Sequence, residues 1–331
     1  MTTIQKTRDY LFDNYKVLLI FLVVVGHFIG PSTKCNSFLL ALKWLIVSFH
    51  MPAFVFVSGY FSKKTLSPGA LIQKLAIPYV VYEIIYYLLY TCVLHKETGL
   101  YLLKPKFTLW YLMALFFWRL ITPYVKKIPH YMVFAIAAGL LIGLSDMENN
   151  FLTIPRALVF YPYFLAGTAF ERESLPMLRS SKGKLFSGVC ITVIALFLIF
   201  LGLQKNVPMQ IFYGRYNYSS MKQSITEGLS WRLGSYVIGF LMTYSILALI
   251  PEKKLRCSYI GTRTMAIYLF HGLIYSYFRY CTKLLNNIDT AAATILLLAF
   301  CAGLTALFSL KPFTAFTGTV SNFHLTKKGT A

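Results

Sequence analysis

The sequence predicts an all-α fold: a polytopic integral membrane helical bundle of about ten transmembrane helices. Three observations lead there. Hydrophobic residues make up 57% of the 331 residues and charged residues only 13%, against about 25% charged in a soluble domain. The mean hydropathy is +0.61. Apolar runs recur at 13–31, 38–62, 75–94, 107–122, 131–145, 152–170, 185–203, 231–250, 262–280 and 290–310, near the ~20 residues that cross a bilayer. That much apolar surface exceeds what one or two soluble cores bury, and argues against a soluble enzyme. The composition also excludes a disordered chain, a disulfide scaffold and a collagen. Residues 1–331 read as a single membrane domain without a fused soluble domain.

The first run follows Lys6, Arg8 and Lys16 and mimics a signal peptide, but no small-x-small cleavage site follows at 30–35, so it is expected to stay in the mature protein. It carries His27 eleven residues after Lys16. At ~100° and 1.5 Å per residue the two share a helix face, about 16 Å apart along the axis. A pantetheine-sized arm spans that distance. The ordinary alternative is a snorkelling lysine and a packing histidine. The second run carries His50 halfway along, just before Pro52, which frees a backbone carbonyl that the histidine could cap. The third carries Glu83 among tyrosines, either paired with a base or held neutral. Trp110 opens the fourth as belt aromatic. Arg156 opens the sixth, either an interfacial anchor or a bidentate ligand for phosphate or carboxylate. The long connection 204–230 holds Gly214-Arg215-Tyr216-Asn217-Tyr218-Ser219, and is either a lid or substrate wall or an ordinary surface loop. His271 sits midway along the ninth run.

Ionisable groups at membrane depth are functional candidates by default. Three histidines at one depth on three helices weigh more than one. His95, His130 and His324 fall in loops or the tail. The three intramembrane histidines lack HxxH spacing and a nearby carboxylate, so no metal is expected. The six cysteines form no CxxC pair and read as small apolar residues.

The net charge is +21. With these apolar runs, topology explains it better than nucleic-acid binding. The N-terminal tail, even-numbered loops and C-terminal tail hold 20 Lys and Arg, the odd-numbered loops 12. The excess places both termini in the cytoplasm of a plasma-membrane protein.

The stretch Asp13–Phe28, with Lys16-x10-His27, resembles the Arg/Lys-x10-His signature of the membrane acyltransferase-3 family. "FHMPAFVFVSGYF" (49–61) resembles that family's second-span motif, and "LWYL" (109–112), "YPYFLAG" (161–167) and "IYLFHGLI" (267–274) its later landmarks, in order. The branch of fucose 4-O-acetylase-like acetyltransferases looks similar. The resemblance implies O-acyl transfer, with acetyl-CoA as donor and a cell-envelope carbohydrate or lipid-linked glycan as acceptor. It implies His27 as the essential histidine and Lys16 as its basic partner. His50, Arg156 and His271 fall in matching motifs. Many members carry Arg-x2-Arg before the proline of span three; here the stretch reads Ile72–Pro78, and Lys74 stands in its place.

The expectation is an integral-membrane O-acetyltransferase with His27 and His50 catalytic, and Lys16 and Lys74 on the donor. Arg156, His271, Glu83 and Trp110 are further site candidates. Membrane lipid, polysaccharide-assembly proteins or a second copy are the partners considered, Gly26-x3-Gly30 being suited to close helix packing. The rival is an exporter of a sugar or acyl donor, which internal repeats would favour; none is visible.

Overall fold

Helices occupy all ten apolar runs of the sequence, and the chain shuttles between two ends of the bundle. The structure is a computed structural model, described here for residues 8–147, 150–204 and 207–322. Lys6, Lys205, His324, Lys327 and Lys328 lie outside the described residues. The helices are α1 (Tyr10–Phe28), α2 (Ser37–Tyr60), α3 (Pro68–Val93), α4 (Trp110–Val125), α5 (Tyr131–Leu141), α6 (Ile154–Ala169), α7 (Ser181–Gln204), α8 (Ile225–Leu249), α9 (Thr264–Cys281), α10 (Ala291–Phe308) and α11 (Lys311–Ser321). Among the described residues α1, α2, α3, α7, α8 and α10 are long and apolar enough to cross a membrane. The protein is a membrane protein.

Capping residues set several starts. Asp9, Asn36, Ser224 and Thr290 accept backbone N–H bonds from the first turns of α1, α2, α8 and α10. Asp9 starts α1 three residues before the predicted run, and the 3-10 turn Gly30–Lys34 ends it early. α3 begins at Pro68, seven residues early, because proline suits a first helical turn. It is wound into π turns at Ile72–Ala76 and Leu89–Val93. α11 escaped the hydropathy reading because it is only amphipathic. Its Phe313 and Phe316 pack on Phe270 of α9, ring centroids 5.0 and 5.9 Å away.

α1, α2, α6 and α9 form the centre. α7 lies at the periphery, where Leu185, Val193, Leu196, Phe200 and Leu203 are exposed, as suits a surface facing lipid. The closest helix pair is α2 with α6. Any Cβ on Gly59 would run into the carbonyl of Phe164, and any Cβ on Gly167 into that of Phe56. The two backbones touch as in small-residue membrane crossings. Gly26 and Gly30 likewise face inward: a Cβ on Gly26 would lie 3.1 Å from Ile46 and one on Gly30 3.6 Å from the Lys43 ammonium. Gly26 packs against α2, and Gly30 lies beyond the end of α1.

Gly167→Leu or Gly59→Val is therefore expected to yield little monodisperse protein in size-exclusion chromatography. Gly188→Ala on α7, where nothing lies within 4 Å of the added carbon, is expected to elute unchanged.

Candidate active site

At the end of the bundle where α1 finishes, five connections converge on one cavity of about 880 Å³. They are the segment after α1, the loop 94–109, the segment before α6, the loop 207–224 and the segment after α9; each contributes wall residues. His27 forms part of the cavity floor. It projects from the last turn of α1, where the helix carbonyls run out of intrahelical partners. The ammonium of Lys43, from α2, takes up one of them, the carbonyl of Gly26 next to the histidine. The His27 ring sits 4.7 Å from Phe107, 5.4 Å from His271 and 5.6 Å from Tyr275, centroid to centroid. Among the described residues neither of its nitrogens is hydrogen-bonded, so both remain open to a ligand.

His271 stands fully buried behind it. Its Nδ1–H donates to the Ile267 carbonyl at 2.9 Å, and its buried Nε2 has no partner among the described residues. Gly272, the next residue, leaves the room that Phe107 and Tyr86 fill. Phe107 has the uncommon left-handed φ of +47°. The residue before it explains how that turn is held. Lys106 forms a buried ion pair with Glu83 of α3 at 2.9 Å, its backbone N–H bonds the other carboxylate oxygen at 3.0 Å, and its ammonium also reaches the Gly99 carbonyl at 2.8 Å. Glu83 is 0% exposed and Lys106 8%. The sequence left Glu83 either paired or neutral; its partner is a lysine that had been counted only as a loop charge.

The cavity is cationic and aromatic. Lys34, Lys43, Arg156, Arg215 and Arg279 line it, with no Asp or Glu among the described lining residues. The Arg156 guanidinium lies over Trp110 at 4.8 Å, and Arg215 over Tyr216 at 4.6 Å. Arg279 donates to the Tyr275 hydroxyl at 2.9 Å. The 207–224 connection supplies Met209, Tyr213, Arg215 and Tyr216 to the cavity lining. Gly214 turns it with φ +67°, where a Cβ would come within 3.0–3.2 Å of Phe160 and Val159. Tyr218 is 2% exposed, and its hydroxyl donates to the Leu140 carbonyl at 2.7 Å. Arg232, buried in α8, donates to the Tyr216 carbonyl at 3.0 Å. These bonds fasten the wall in place.

Beneath His27 lies a second, very small pocket. Val23, Met51, Phe54, Tyr111 and Tyr268 line it together with Thr108 and Trp110. His27 thus stands between a wide polar cavity and a narrow, mostly apolar recess. An imidazole open on both sides can take up and return a proton.

The opposite end of the bundle carries another cationic pocket, lined by Lys63, Lys64, Arg119 and Lys126. Lys16 belongs to that end. It pairs with Asp13 at 3.0 Å and its ammonium lies 4.8 Å from the Phe61 ring. Asp13 also binds Arg8 at 2.6 Å. Lys74 is exposed on the first π turn of α3 and makes no hydrogen bond or ion pair among the described residues. Thr168 lines this pocket and Arg156 the large cavity; twelve residues of α6 separate them, about 18 Å.

The structure brings together His27, His271, Trp110 and Arg156, with Glu83 one step behind. His50 lines neither pocket at His27. Its Nδ1–H donates to the Ile46 carbonyl at 2.6 Å, four residues back on its own helix. The carbonyl that Pro52 releases is that of Ser48, so the capping suggested by the sequence does not occur. Lys43, Lys106, Arg232 and Arg279 were missed as site residues. Nothing local marks them; only their positions within or beside apolar runs set them apart from topological charge.

A model of the acyltransferase domain family matches residues 9–310. None of the curated proteins or solved structures compared with the chain matches it.

Proposed function

Because the chain belongs to the acyltransferase-3 family and is a membrane acyltransferase, we propose that it moves acetyl from acetyl-CoA to a hydroxyl of a cell-envelope or capsular polysaccharide, or of its lipid-linked precursor, at the plasma membrane. The observation that carries this reading is the place of His27, where the cationic cavity meets the apolar recess. The acceptor enters the cavity. The acyl end of the donor reaches the recess, whose Val23, Met51 and Phe54 suit a methyl group. The His27 imidazole takes the proton of the acceptor hydroxyl as its oxygen attacks the thioester carbonyl. The C–O bond forms, the C–S bond breaks, and the departing thiolate takes the proton back from the imidazolium. His271 holds the His27 ring from behind. Arg156 offers positive charge to the carbonyl oxygen as it becomes an oxyanion.

The donor's phosphates rest at the other end, on Lys16 and the Lys63, Lys64, Arg119 and Lys126 cluster, with Lys74 exposed on the same side. The spacing of about 16 Å between Lys16 and His27 matches a long thiol arm. The basic-residue count supports a cytoplasmic position for that end.

The test is release of free CoA by the full chain in nanodiscs, with acetyl-CoA and an envelope glycolipid fraction. Release that depends on both substrates supports the reading. The pair Lys16→Gln and Lys126→Gln is expected to raise KM for acetyl-CoA several-fold and leave kcat near its starting value. No release by well-folded protein with either acetyl-CoA or succinyl-CoA would overturn the proposal.

A further inference from the structure

We infer that the cavity beside His27 seats an anionic acceptor: a sugar whose own phosphate or carboxylate is gripped by Arg215 and Arg279 while the aromatic wall carries its ring. The inference rests on the proposed acyl transfer and names the acceptor's chemical class.

The first observation is electrostatic. Five cationic side chains line the cavity, and no Asp or Glu does so among the described residues. Like charges gathered around one low-dielectric space repel, and their field draws in anions. A neutral sugar needs no such field. Surface topology does not explain it either. Arg156 and Lys43 sit inside helices that pack in the centre of the bundle, and Arg279 in the last turn of α9.

The second observation is that these cations lack carboxylate partners. No ion pair involves Arg156, Arg215 or Arg279 among the described residues. The Nε–H of Arg215 is buried with no acceptor among the described residues, the kind of orphaned donor that structures seldom leave. Planar guanidinium groups grip phosphate or carboxylate with paired N–H bonds. Between them stand Tyr213, Tyr216, Tyr275 and Trp110, flat apolar faces suited to the C–H face of a sugar ring.

The third observation is distance, and it separates acceptor from donor. In acetyl-CoA the thioester and the phosphates lie at opposite ends of a long arm. Arg156 and His27 line the same cavity. Donor phosphates held there would leave the thioester far from the histidine. An oxyanion on the acceptor can lie next to the hydroxyl that reacts. The separate cluster about 18 Å away along α6 has the spacing that the donor requires.

Isothermal titration of the detergent-solubilised full chain tests this with glucose 1-phosphate, glucuronate, methyl glucoside and 3′,5′-adenosine bisphosphate, the phosphate end of the donor. At least one of the two charged sugars is expected to bind tenfold or more tightly than methyl glucoside, with affinity falling as salt rises. Which one binds tighter names the oxyanion. Arg215→Gln with Arg279→Gln is expected to weaken that binding at least tenfold. Arg215→Lys with Arg279→Lys is expected to keep most of it, and Lys63→Gln with Lys126→Gln all of it. Thermal melting of each variant certifies that it is folded. Equal binding of charged and neutral sugars overturns the inference. So does loss of adenosine bisphosphate binding in the cavity variants but not in Lys63→Gln with Lys126→Gln, which would make the cavity the donor site. Because these are binding measurements, their outcome is independent of CoA release. A failure of acyl transfer would leave a charge-selective sugar site standing, and a charge-blind cavity would leave acyl transfer standing.

Discussion

Replacing His27 by alanine is expected to lower acceptor-dependent CoA release by about 10²- to 10⁴-fold, the range for a lost general acid–base group, while the protein still purifies as folded material. The structure explains both halves of the expectation. The imidazole accepts no structural bond among the described residues, and it opens on the cavity and the recess. The turn that carries it is held by other groups, chiefly the Lys43 bond to the Gly26 carbonyl. Removing the ring leaves those supports in place. His27→Gln restores a polar side chain of similar reach that cannot shuttle a proton at neutral pH, so it is expected to be as inactive as alanine. Single-turnover assays on both variants, with melting temperatures alongside, check the result. Activity within tenfold of the parent in stable His27→Ala protein would remove His27 from the reaction. His50→Ala, by contrast, is expected to change turnover less, since His50 touches neither compartment and is bonded to its own helix.

Lys106→Met is expected to destabilise the protein by about 3–5 kcal/mol. It removes one member of a buried pair and strands the Glu83 carboxylate, which is 0% exposed. Among the described residues only the backbone N–H of residue 106 would still meet it. The compensating double change, Glu83→Leu with Lys106→Met, takes both charges out of the apolar interior and is expected to recover most of the loss, because such pairs are seldom net stabilising against well-packed apolar replacements. Chemical unfolding in mixed micelles measures both. Recovery of stability should not restore turnover fully. The pair also holds Phe107 in its left-handed turn against His27 and Tyr275, at 4.7 and 5.1 Å. A double variant that melts like the parent and turns over like it would show that this loop does not position the histidine.

Much of the molecule was legible in its sequence because membrane helices announce themselves by composition. All ten apolar runs became helices, and Lys16 and His27, eleven residues apart, do lie on one helix. Arg156 and Trp110 were found because a charge or a large aromatic stands out against an apolar background. The partners were not legible. Lys106 meets Glu83 across 23 residues, the last turns of α3 and an irregular loop, and such a connection leaves no periodic trace. Lys43 and Arg279 looked like topology, since every membrane protein carries lysines and arginines near its span ends. Five connections distant in sequence build the cavity, and hydropathy does not register how connections meet. α11 was missed because half of its surface is polar, and the α3 start because a proline reads as readily as a break as a beginning.

The division of labour between helices and connections has a consequence for how such a molecule diversifies. His27 and His271 belong to two packed helices of the core, whereas much of the wall around them comes from connections, joined by helix residues such as Lys43, Arg156 and Tyr275. Segments of that kind tolerate insertion and exchange far better than the elements they connect. One unchanged bundle can therefore keep its chemistry and acquire new clientele through its rim alone, in the way a fixed machine tool accepts different jigs. Grafting the 207–222 connection between relatives is the shortest route to moving preference from one glycan to another.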